Sequence, residues 1–353
     1  MDVAIVGAFG TVGRQCAMQL VTEQLLPPTS RLQLVGHKGG NSANEMLGFR
    51  ADLWDAFVDE CPQLEVTDDL AAIDADVVIV LAGATVPLDL SVPADREAIG
   101  AHNRALFNDL GAVLGASDRR PIVLVASNPV ELGVHLLAES VGRHRVIGIG
   151  SPNDSARFRR ELAAELGVRR AAVSAVMLGQ HGSHLVPVWS HVAARGVKRA
   201  DLAAAIERMR AGRVLADFAT EVDTAKAEML ALVASHDVDA AFAYVQQLTP
   251  DLRSAVKPFF IHFTSGRTTE MSTAHATLEV LAALVRGERH VIGAQVALDG
   301  EWNDWHGVLG VQVILAAGGW SDVIDMRLAP DETDALVQAG EAIAAANAAL
   351  LGG

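Results

Sequence analysis

Short apolar runs alternate with longer amphipathic segments through the first half of the chain. Uninterrupted apolar runs are typical of parallel strands buried on both faces, and the segments between them have the apolar spacing of helices. The alternation therefore predicts an α/β fold with a doubly wound parallel sheet, whose ligands bind at the carboxyl ends of the strands. The predicted strands are residues 2–7, 32–35, 65–67, 77–82, 122–127 and 146–150, and the predicted helices include 43–56, 96–115 and 130–142.

The second half of the chain has a different pattern. A helix begins at Ser151-Pro152, alanine-rich helices occupy residues 200–247, strands are predicted at 290–297 and 308–317, and an amphipathic helix covers 331–351. Strands and helices in separate groups predict an α+β domain. No linker or low-complexity tract separates the halves, so residues 1–149 and 150–353 are expected to form two domains of one body with a cleft between them.

Composition and charge exclude several classes of function. The 353 residues are 50% hydrophobic and carry a formal net charge of −15 without a basic patch, which argues against a nucleic-acid partner. No apolar run of about eighteen residues and no signal peptide is found, so neither a membrane span nor secretion is expected. Cys16 and Cys61 lack metal-binding spacing, which predicts no metal site and a reducing, cytoplasmic compartment.

The first predicted strand ends in a glycine-rich turn. Gly7, Gly10 and Gly13 lie between that strand and an amphipathic helix. Glycines let the backbone approach a pyrophosphate, and the free N–H groups at the start of the helix can bind it. The turn therefore predicts a dinucleotide site, although the three glycines alone are equally consistent with a simple tight turn.

An acid, an arginine and a histidine occur in the middle of the chain. Asp154 and Arg157 are three residues apart in a predicted helix and so share one face of it. His181 lies between Gly179 and Gly182, which allow a bend toward a cleft. Arg157 can hold a carboxylate with two parallel hydrogen bonds. His181 can exchange a proton near neutral pH, and Asp154 can stabilise the imidazolium.

The strings around these residues resemble the lactate/malate dehydrogenase family. The helix reads Asp154-Ser155-Ala156-Arg157-Phe158-Arg159, and the loop reads Gly179-Gln180-His181-Gly182-Ser183-His184-Leu185-Val186-Pro187-Val188-Trp189-Ser190, with Gln180 where the family usually has glutamate. The resemblance implies an N-terminal Rossmann domain followed by a catalytic domain. It also implies that His181 donates the proton, that Asp154 orients the His181 imidazole, and that Arg157 binds the substrate carboxylate.

Further strings extend the resemblance. Residues 96–103 fit the family pattern R-x-x-L-x-x-x-N, which implies that Arg96 polarises the ketone oxygen and that Asn103 contacts the cofactor. Ser127-Asn128-Pro129 matches a family turn, which implies that Asn128 hydrogen-bonds the substrate and that Ala126 lines the cofactor site. Gly266-Arg267-Thr268 resembles a turn near the substrate, which implies a substrate contact for Thr268.

The segment after the second predicted strand bears on the cofactor. Relatives that bind NAD usually carry an acid there, which holds the ribose hydroxyls and repels a 2′-phosphate. This chain instead has Gly36, followed by His37 and Lys38. Loss of the acid and gain of donors favour NADP over NAD, and the alternative is a plain glycine-rich loop that binds NAD more weakly.

The loop at residues 85–95 bears on the substrate. Family members that act on malate usually carry a second arginine early in this loop, to hold the distal carboxylate. Here the loop has no arginine or lysine, includes Asp89 and Asp95, and is longer than usual. An uncompensated carboxylate in a cleft is unfavourable, so a substrate other than a simple dicarboxylate is expected unless a cation such as Arg267 restores malate.

These inferences predict a NAD(P)-dependent dehydrogenase that interconverts a small 2-oxo acid and its 2-hydroxy acid. The family resemblance implies a homodimer or homotetramer. Three alternatives stay open: an ordinary malate dehydrogenase, an NADP-sensing binding protein without turnover, and a relative of the NAD-dependent glycosidases, which need a metal held by cysteine and histidine.

Overall fold

The structure is a computed structural model that describes residues 1–39, 44–85, 87, 96–265 and 269–352, with only the backbone described at 96–98. Its strands are β1 Val3–Val6, β2 Arg31–Val35, β3 Gln63–Thr67, β4 Val77–Val80, β5 Ile122–Val125, β6 Val146–Gly148, β7 Val173–Ser174, β8 Met177–Gly179, β9 Leu185–Pro187, β10 Ala193–Ala194, β11 His290–Asp299, β12 His306–Ala316 and β13 Gly319–Val323. Its α-helices are α1 Thr11–Thr22, α2 Met46–Ala56, α3 Arg96–Gly115, α4 Val130–Val141, α5 Gly150–Glu165, α6 Arg199–Arg210, α7 Phe218–Ala234, α8 Val238–Gln247, α9 Pro250–Ser265, α10 Glu270–Arg286 and α11 Pro330–Leu351.

Nine of the described strands form one sheet in the order β13-β12-β11-β6-β5-β4-β1-β2-β3. Strands β1 to β6 pair with one another in parallel, whereas β11 is antiparallel to β6, and β11, β12 and β13 pair antiparallel with one another in that order. The antiparallel strands continue the parallel ones because Gln295 of β11 pairs with Gly148 of β6. The carboxyl ends of β1, β4, β5 and β6 therefore meet at one edge of the sheet, where ligands bind in folds of this kind.

The predicted α/β class is confirmed, and the six predicted N-terminal strands are present with adjusted ends. Strands β1, β4 and β5 are buried along their whole length, which explains why they appear as unbroken apolar runs. A short apolar, strand-like run precedes Gly179 in the sequence, where β7 and β8 lie, but the sequence pattern does not predict β9, β10 or β13. Strands β9 and β10 have three and two residues, too few to show a hydrophobic period, and β13 (Gly-Trp-Ser-Asp-Val) contains no apolar run.

The alanine-rich segment predicted as helical forms α6, α7 and α8. Helices α7, α8 and α9 surround a second apolar core, separate from the main one, which includes the buried residues Met229, Val245 and Val256. Among the residues that the structure describes, no helix combines the length and the apolar character needed to cross a bilayer.

Helix α10 connects the N-terminal part of the chain to helix α5. On one side it packs against α1, where Gln19 Nε2 donates to the Met271 carbonyl at 3.5 Å and His275 lies 3.8 Å from Glu23. On the other side it packs against α5, where Asn153 Nδ2 donates to Thr273 Oγ1 at 3.2 Å. Helix α10 therefore fixes the spacing between the glycine-rich turn and the Asp154 helix.

Gln295 links three elements at the centre of the molecule. Its Oε1 accepts from the Ser151 N–H at 2.9 Å, and its Nε2 donates to Ser151 Oγ at 3.0 Å and to the Gly179 carbonyl at 3.3 Å. The side chain is 1% exposed, so these groups have little access to water. Gln295 thus joins β11 to the start of α5 and to the end of β8.

We expect Gln295→Leu to lower the free energy of unfolding by about 2–4 kcal/mol, because it leaves buried donors and acceptors unpaired. Gln312→Leu, on the adjacent strand β12 at a half-buried position, is the matched control and should change stability far less. Urea unfolding followed by circular dichroism measures both values. Equal effects of the two substitutions would contradict the assigned role of Gln295.

Candidate active site

His181 lies at the tip of the hairpin formed by β8 and β9. The Gln180 N–H donates to the His184 carbonyl across this tip at 2.9 Å. Gly179 and Gly182 have φ angles of 79° and 82°, and a Cβ on Gly179 would lie 2.5 Å from the His184 oxygen. Both positions therefore favour glycine, and the bend predicted from the sequence is present.

The Asp154 carboxylate holds His181 and Arg157 together. Its Oδ2 accepts from His181 Nδ1 at 2.6 Å, and its Oδ1 accepts from Arg157 Nη1 at 3.1 Å. Asp154 is 5% exposed, and the side chains of His181 and Arg157 are 18% and 16% exposed. Because Nδ1 is committed to Asp154, Nε2 is the ring nitrogen of His181 that can exchange a proton with a ligand.

Burial alone would lower the pKa of the His181 imidazole. The Asp154 carboxylate, with help from Glu131, outweighs that effect and raises the pKa of His181 above its ordinary value. Burial lowers the pKa of Arg157, against the opposing effect of Asp154, but an arginine pKa is high enough that the guanidinium stays charged. The Asp154 carboxylate therefore favours the protonated form of His181, which lies beside the Arg157 cation.

Thr269 binds Arg157, as Asp154 does, and Thr273 contacts Thr269 in turn. Arg157 Nη2 donates to Thr269 Oγ1 at 2.9 Å, and the hydroxyls of Thr269 and Thr273 lie 3.3 Å apart. Thr273 in turn accepts from Asn153. The guanidinium is therefore held from both α5 and the start of α10, and its predicted contact with a substrate carboxylate stays a prediction.

Glu131 anchors the hairpin tip from helix α4. Its Oε1 accepts from the His181 backbone N–H at 2.7 Å, and the residue is 4% exposed. Burial raises the pKa of this carboxyl, although His181 opposes the effect. Glu131 cannot be singled out from its local sequence, because an acid in the first turn of a helix is an ordinary helix-start residue.

The glycine-rich turn has the geometry that a pyrophosphate needs. Gly7 has a φ of 87°, and the N–H groups of Gly7 and Ala8 donate to the Val35 carbonyl at the end of β2. A Cβ on Gly13 would lie 2.1 Å from the Gly7 oxygen. Gly10 caps helix α1 without a side chain that could cover the N–H groups there. These residues fit a dinucleotide phosphate at the start of α1.

Asn103 joins the ends of β4 and β5. Its Nδ2 donates to the carbonyls of Ala84 and Asn128 at 3.0 and 2.6 Å, and its Oδ1 accepts from the Ala84 N–H at 2.7 Å. Ala126 is half-buried at the end of β5, and the Asn128 residue is exposed at the same edge of the sheet. The cofactor contacts of Asn103 and Ala126 and the substrate contact of Asn128 stay predictions.

The residues that bear on cofactor choice lie at the end of β2. The Gly36 N–H donates to the Thr67 carbonyl at 2.8 Å, and His37 and Lys38 are exposed immediately after it. Their exposed positions fit the predicted role, since an imidazole N–H and a lysine ammonium can both donate hydrogen bonds to a phosphate. The choice of NADP over NAD stays a prediction.

Some predicted positions lie outside the described residues. These are Thr268 and Arg267, together with residues 86 and 88–95 of the loop that bears on the substrate. For Arg96 the structure describes only the backbone, at the first residue of α3. Their predicted contacts with the substrate stay predictions.

Comparison with protein families identifies the chain. Residues 1–148 match the NAD-binding domain of lactate/malate dehydrogenase, and residues 153–260 match the alpha/beta C-terminal domain of the same family. The protein belongs to the lactate/malate dehydrogenase family. It is therefore an oxidoreductase with a nicotinamide-cofactor domain, and the family resemblance inferred from the sequence is confirmed.

Relatives within the family differ in how much of the chain they match. The malate dehydrogenase of Chlorobium phaeobacteroides is 24% identical over 95% of this chain and 94% of that protein. The malate dehydrogenase of Halobacterium salinarum is 27% identical over 97% of both proteins. An L-lactate dehydrogenase of Streptococcus equi subspecies zooepidemicus is 33% identical, but over 53% of this chain and 55% of that protein.

Solved structures of the family share the fold. The malate dehydrogenase of Cryptosporidium parvum has a TM-score of 0.76 at 20% identity and covers 99% of both chains. A lactate dehydrogenase of the same organism, complexed with lactic acid and nicotinamide adenine dinucleotide, has a TM-score of 0.76 at 19% identity. It covers 99% of this chain and 97% of its own.

The two cysteines are poorly suited to metal binding or nucleophilic chemistry. Burial raises the pKa of Cys16 to about 12, and it also raises the pKa of Cys61. A thiol must lose its proton to act as a ligand, which these surroundings disfavour. In the described parts of the chain, His, Cys, Asp and Glu side chains do not gather into a group of three that could hold a metal ion.

We expect Asp154→Asn to remove the charge that raises the pKa of His181. With His181 as the predicted proton donor, reduction of a ketone needs its protonated form, so the rate is expected to fall as the pH rises through that pKa. In the variant this fall should occur about 1–3 pH units lower. The pH dependence of kcat/KM for reduction tests this. The control is Asp299→Asn, which breaks a surface pair with His306 and should leave the profile unchanged. A profile unshifted in Asp154→Asn would contradict the assigned coupling.

Proposed function

We propose that this dehydrogenase interconverts a small 2-oxo acid and its 2-hydroxy acid, that it prefers NADP(H) to NAD(H), and that its substrate is not a simple dicarboxylate. The observation that carries the proposal is the Asp154 carboxylate, shared between His181 Nδ1 and Arg157 Nη1. This arrangement couples a proton donor to a carboxylate-binding cation. A 2-oxo acid requires the cation to bind its carboxylate and the proton donor to protonate its ketone oxygen.

Arg157 binds the substrate carboxylate in this proposal. Its guanidinium is held by Asp154 and Thr269 and keeps further N–H groups for a bidentate contact. The fixed position of Arg157 orients the ketone toward His181, and such orientation lowers the barrier of the reaction.

His181 gives its Nε2 proton to the ketone oxygen during reduction and takes it back during oxidation. Asp154 stabilises the imidazolium and holds the ring in one orientation. A nicotinamide, when bound, would supply the hydride to the substrate carbon in reduction and accept it in oxidation. Arg96, at the start of α3, stabilises the charge that develops on the ketone oxygen, and Asn128 and Thr268 bind the substrate.

The substrate side chain is proposed from the loop at residues 85–95. This loop has no cation to neutralise a second carboxylate. Asp89 can accept hydrogen bonds from hydroxyl or amino groups, which favours a neutral or polar side chain over a dicarboxylate.

Ordinary malate dehydrogenase activity is the second candidate. It is favoured by the malate dehydrogenases of Chlorobium phaeobacteroides and Halobacterium salinarum, which match this chain over nearly its whole length. Arg267 would then bind the distal carboxylate in place of a loop arginine. An NADP-sensing protein without turnover is a further alternative, which the paired Asp154 and His181 argue against because a binding protein needs no proton donor.

Two further features belong to the proposal. Residues 1–149 bind the dinucleotide through Gly7, Gly10 and Gly13, and residues 150–353 supply the catalytic groups. A homodimer or homotetramer is proposed by analogy with the family alone.

The first experiment tests both specificities together. Purified protein is mixed with NADPH or NADH and with oxaloacetate, pyruvate, or longer or hydroxylated 2-oxo acids, and absorbance of the reduced nicotinamide is followed. We expect faster oxidation of NADPH than of NADH, with a substrate other than oxaloacetate. Fast NADH oxidation with oxaloacetate would establish the second candidate, and NADPH binding without turnover on any 2-oxo acid would favour the sensing protein.

We expect His181→Ala to lower kcat by about 10²–10⁴-fold, because it removes the proton donor. Cofactor affinity, measured from the fluorescence of the bound reduced nicotinamide, should be unchanged. The matched control is His306→Ala, since His306 forms the same type of pair with Asp299 at the surface. Full activity of His181→Ala would overturn the proposed role.

A further inference from the structure

Arg14 is held beside the end of β2. Its Nε donates to the Phe9 carbonyl at 3.1 Å, and its guanidinium carbon lies 5.0 Å from the centre of the Phe49 ring. The Phe9 and Phe49 rings meet edge to face, with their centres 6.0 Å apart. The guanidinium therefore has a fixed position over an aromatic surface that joins the glycine-rich turn to helix α2.

Glu45 is the ionic partner of Arg14. Glu45 is the residue directly before α2, and its carboxylate accepts a hydrogen bond from Arg14 Nη2. The Glu45 side chain is 60% exposed and that of Arg14 is 37% exposed, so water screens the pair. Exposed ion pairs of this kind contribute little stability, and an incoming anion can replace the carboxylate at small cost.

Gly36 lies against the same aromatic surface. A Cβ at Gly36 would be 2.7 Å from Met46 Sδ and 3.3 Å from Phe9 Cδ2. An acidic side chain at this position would therefore have to displace Met46. The acid that holds the ribose hydroxyls in NAD-binding relatives is missing here. The side chains of Met46 and Phe9 lie where it would begin.

We propose that Arg14 binds the 2′-phosphate of NADP(H), and that the phosphate replaces Glu45 as the partner of the guanidinium. This inference rests on the proposed preference for NADP(H). A phosphate monoester carries more negative charge than a carboxylate and accepts parallel hydrogen bonds from a guanidinium. Arg14 lies in α1, Glu45 directly precedes α2, and Lys38 adds positive charge after the end of β2.

The test uses adenosine 2′,5′-bisphosphate and adenosine 5′-monophosphate, which differ only in the 2′-phosphate. Their dissociation constants are measured by titration calorimetry at one low salt concentration, so that no turnover is required. For the unmodified protein we expect binding of the bisphosphate to be at least tenfold tighter. Arg14→Gln should weaken bisphosphate binding by about 10- to 100-fold, because charge-assisted hydrogen bonds are lost, and leave the monophosphate unchanged.

Two further variants sharpen the test. Glu45→Gln removes the competing carboxylate and should strengthen bisphosphate binding a few-fold, without an effect on the monophosphate. Arg289→Gln is the matched control, because Arg289 pairs with Asp322 at an exposed position just before β11. It should change neither constant.

The outcomes separate this inference from the proposed function. Equal affinity of the unmodified protein for the two ligands would overturn the preference for NADP(H) and the role of Arg14 with it. A bisphosphate preference that persists in Arg14→Gln would overturn only the role of Arg14 and assign the phosphate to His37 and Lys38. Equal weakening of both ligands by Arg14→Gln would indicate a pyrophosphate contact and also overturn the inference.

Discussion

The site depends on one buried carboxylate. Asp154 gives one oxygen to His181 and the other to Arg157, so a single group sets the orientation of the proton donor and of the cation. Burial would otherwise lower the pKa of His181 and disfavour the charge on Arg157, and the negative charge of Asp154 opposes both effects. A buried charge is tolerated when it is paired and hydrogen-bonded, as it is here.

The rest of the fold keeps this carboxylate and its partners in place. Glu131 holds the hairpin tip that carries His181, and Gln295 joins that hairpin to the start of α5. Thr269 also holds Arg157, at the start of the same helix α10 that packs against α1. The glycine-rich turn and His181 are therefore connected through rigid elements. Such a connection is what the alignment of a cofactor and a substrate requires.

We propose that specificity, rather than fold, distinguishes this chain from its relatives. Malate dehydrogenases match it over nearly the whole chain, and solved family structures have the same architecture. Two segments of the sequence depart from the family pattern. One is the loop at residues 85–95, which has no cation, and the other is the β2 end, where Gly36 lies beside Arg14 and Glu45. Function in such a family is decided by sites placed on a shared scaffold.

The sequence by itself determined the parallel sheet and the central parts of the site. Strands buried on both faces appear as apolar runs, and the spacing of Asp154 and Arg157 places them on one helix face. Only the tertiary structure identified Glu131, Gln295 and the Arg14–Glu45 pair, together with strand β13. The hydrogen-bond partners of Glu131, Gln295 and Arg14 are distant along the chain. In their local sequence these residues resemble an ordinary helix-start, strand and surface residue. The physical reason is that periodicity records which face of an element is buried, whereas a hydrogen bond between distant segments exists only after the sheet and helices have packed.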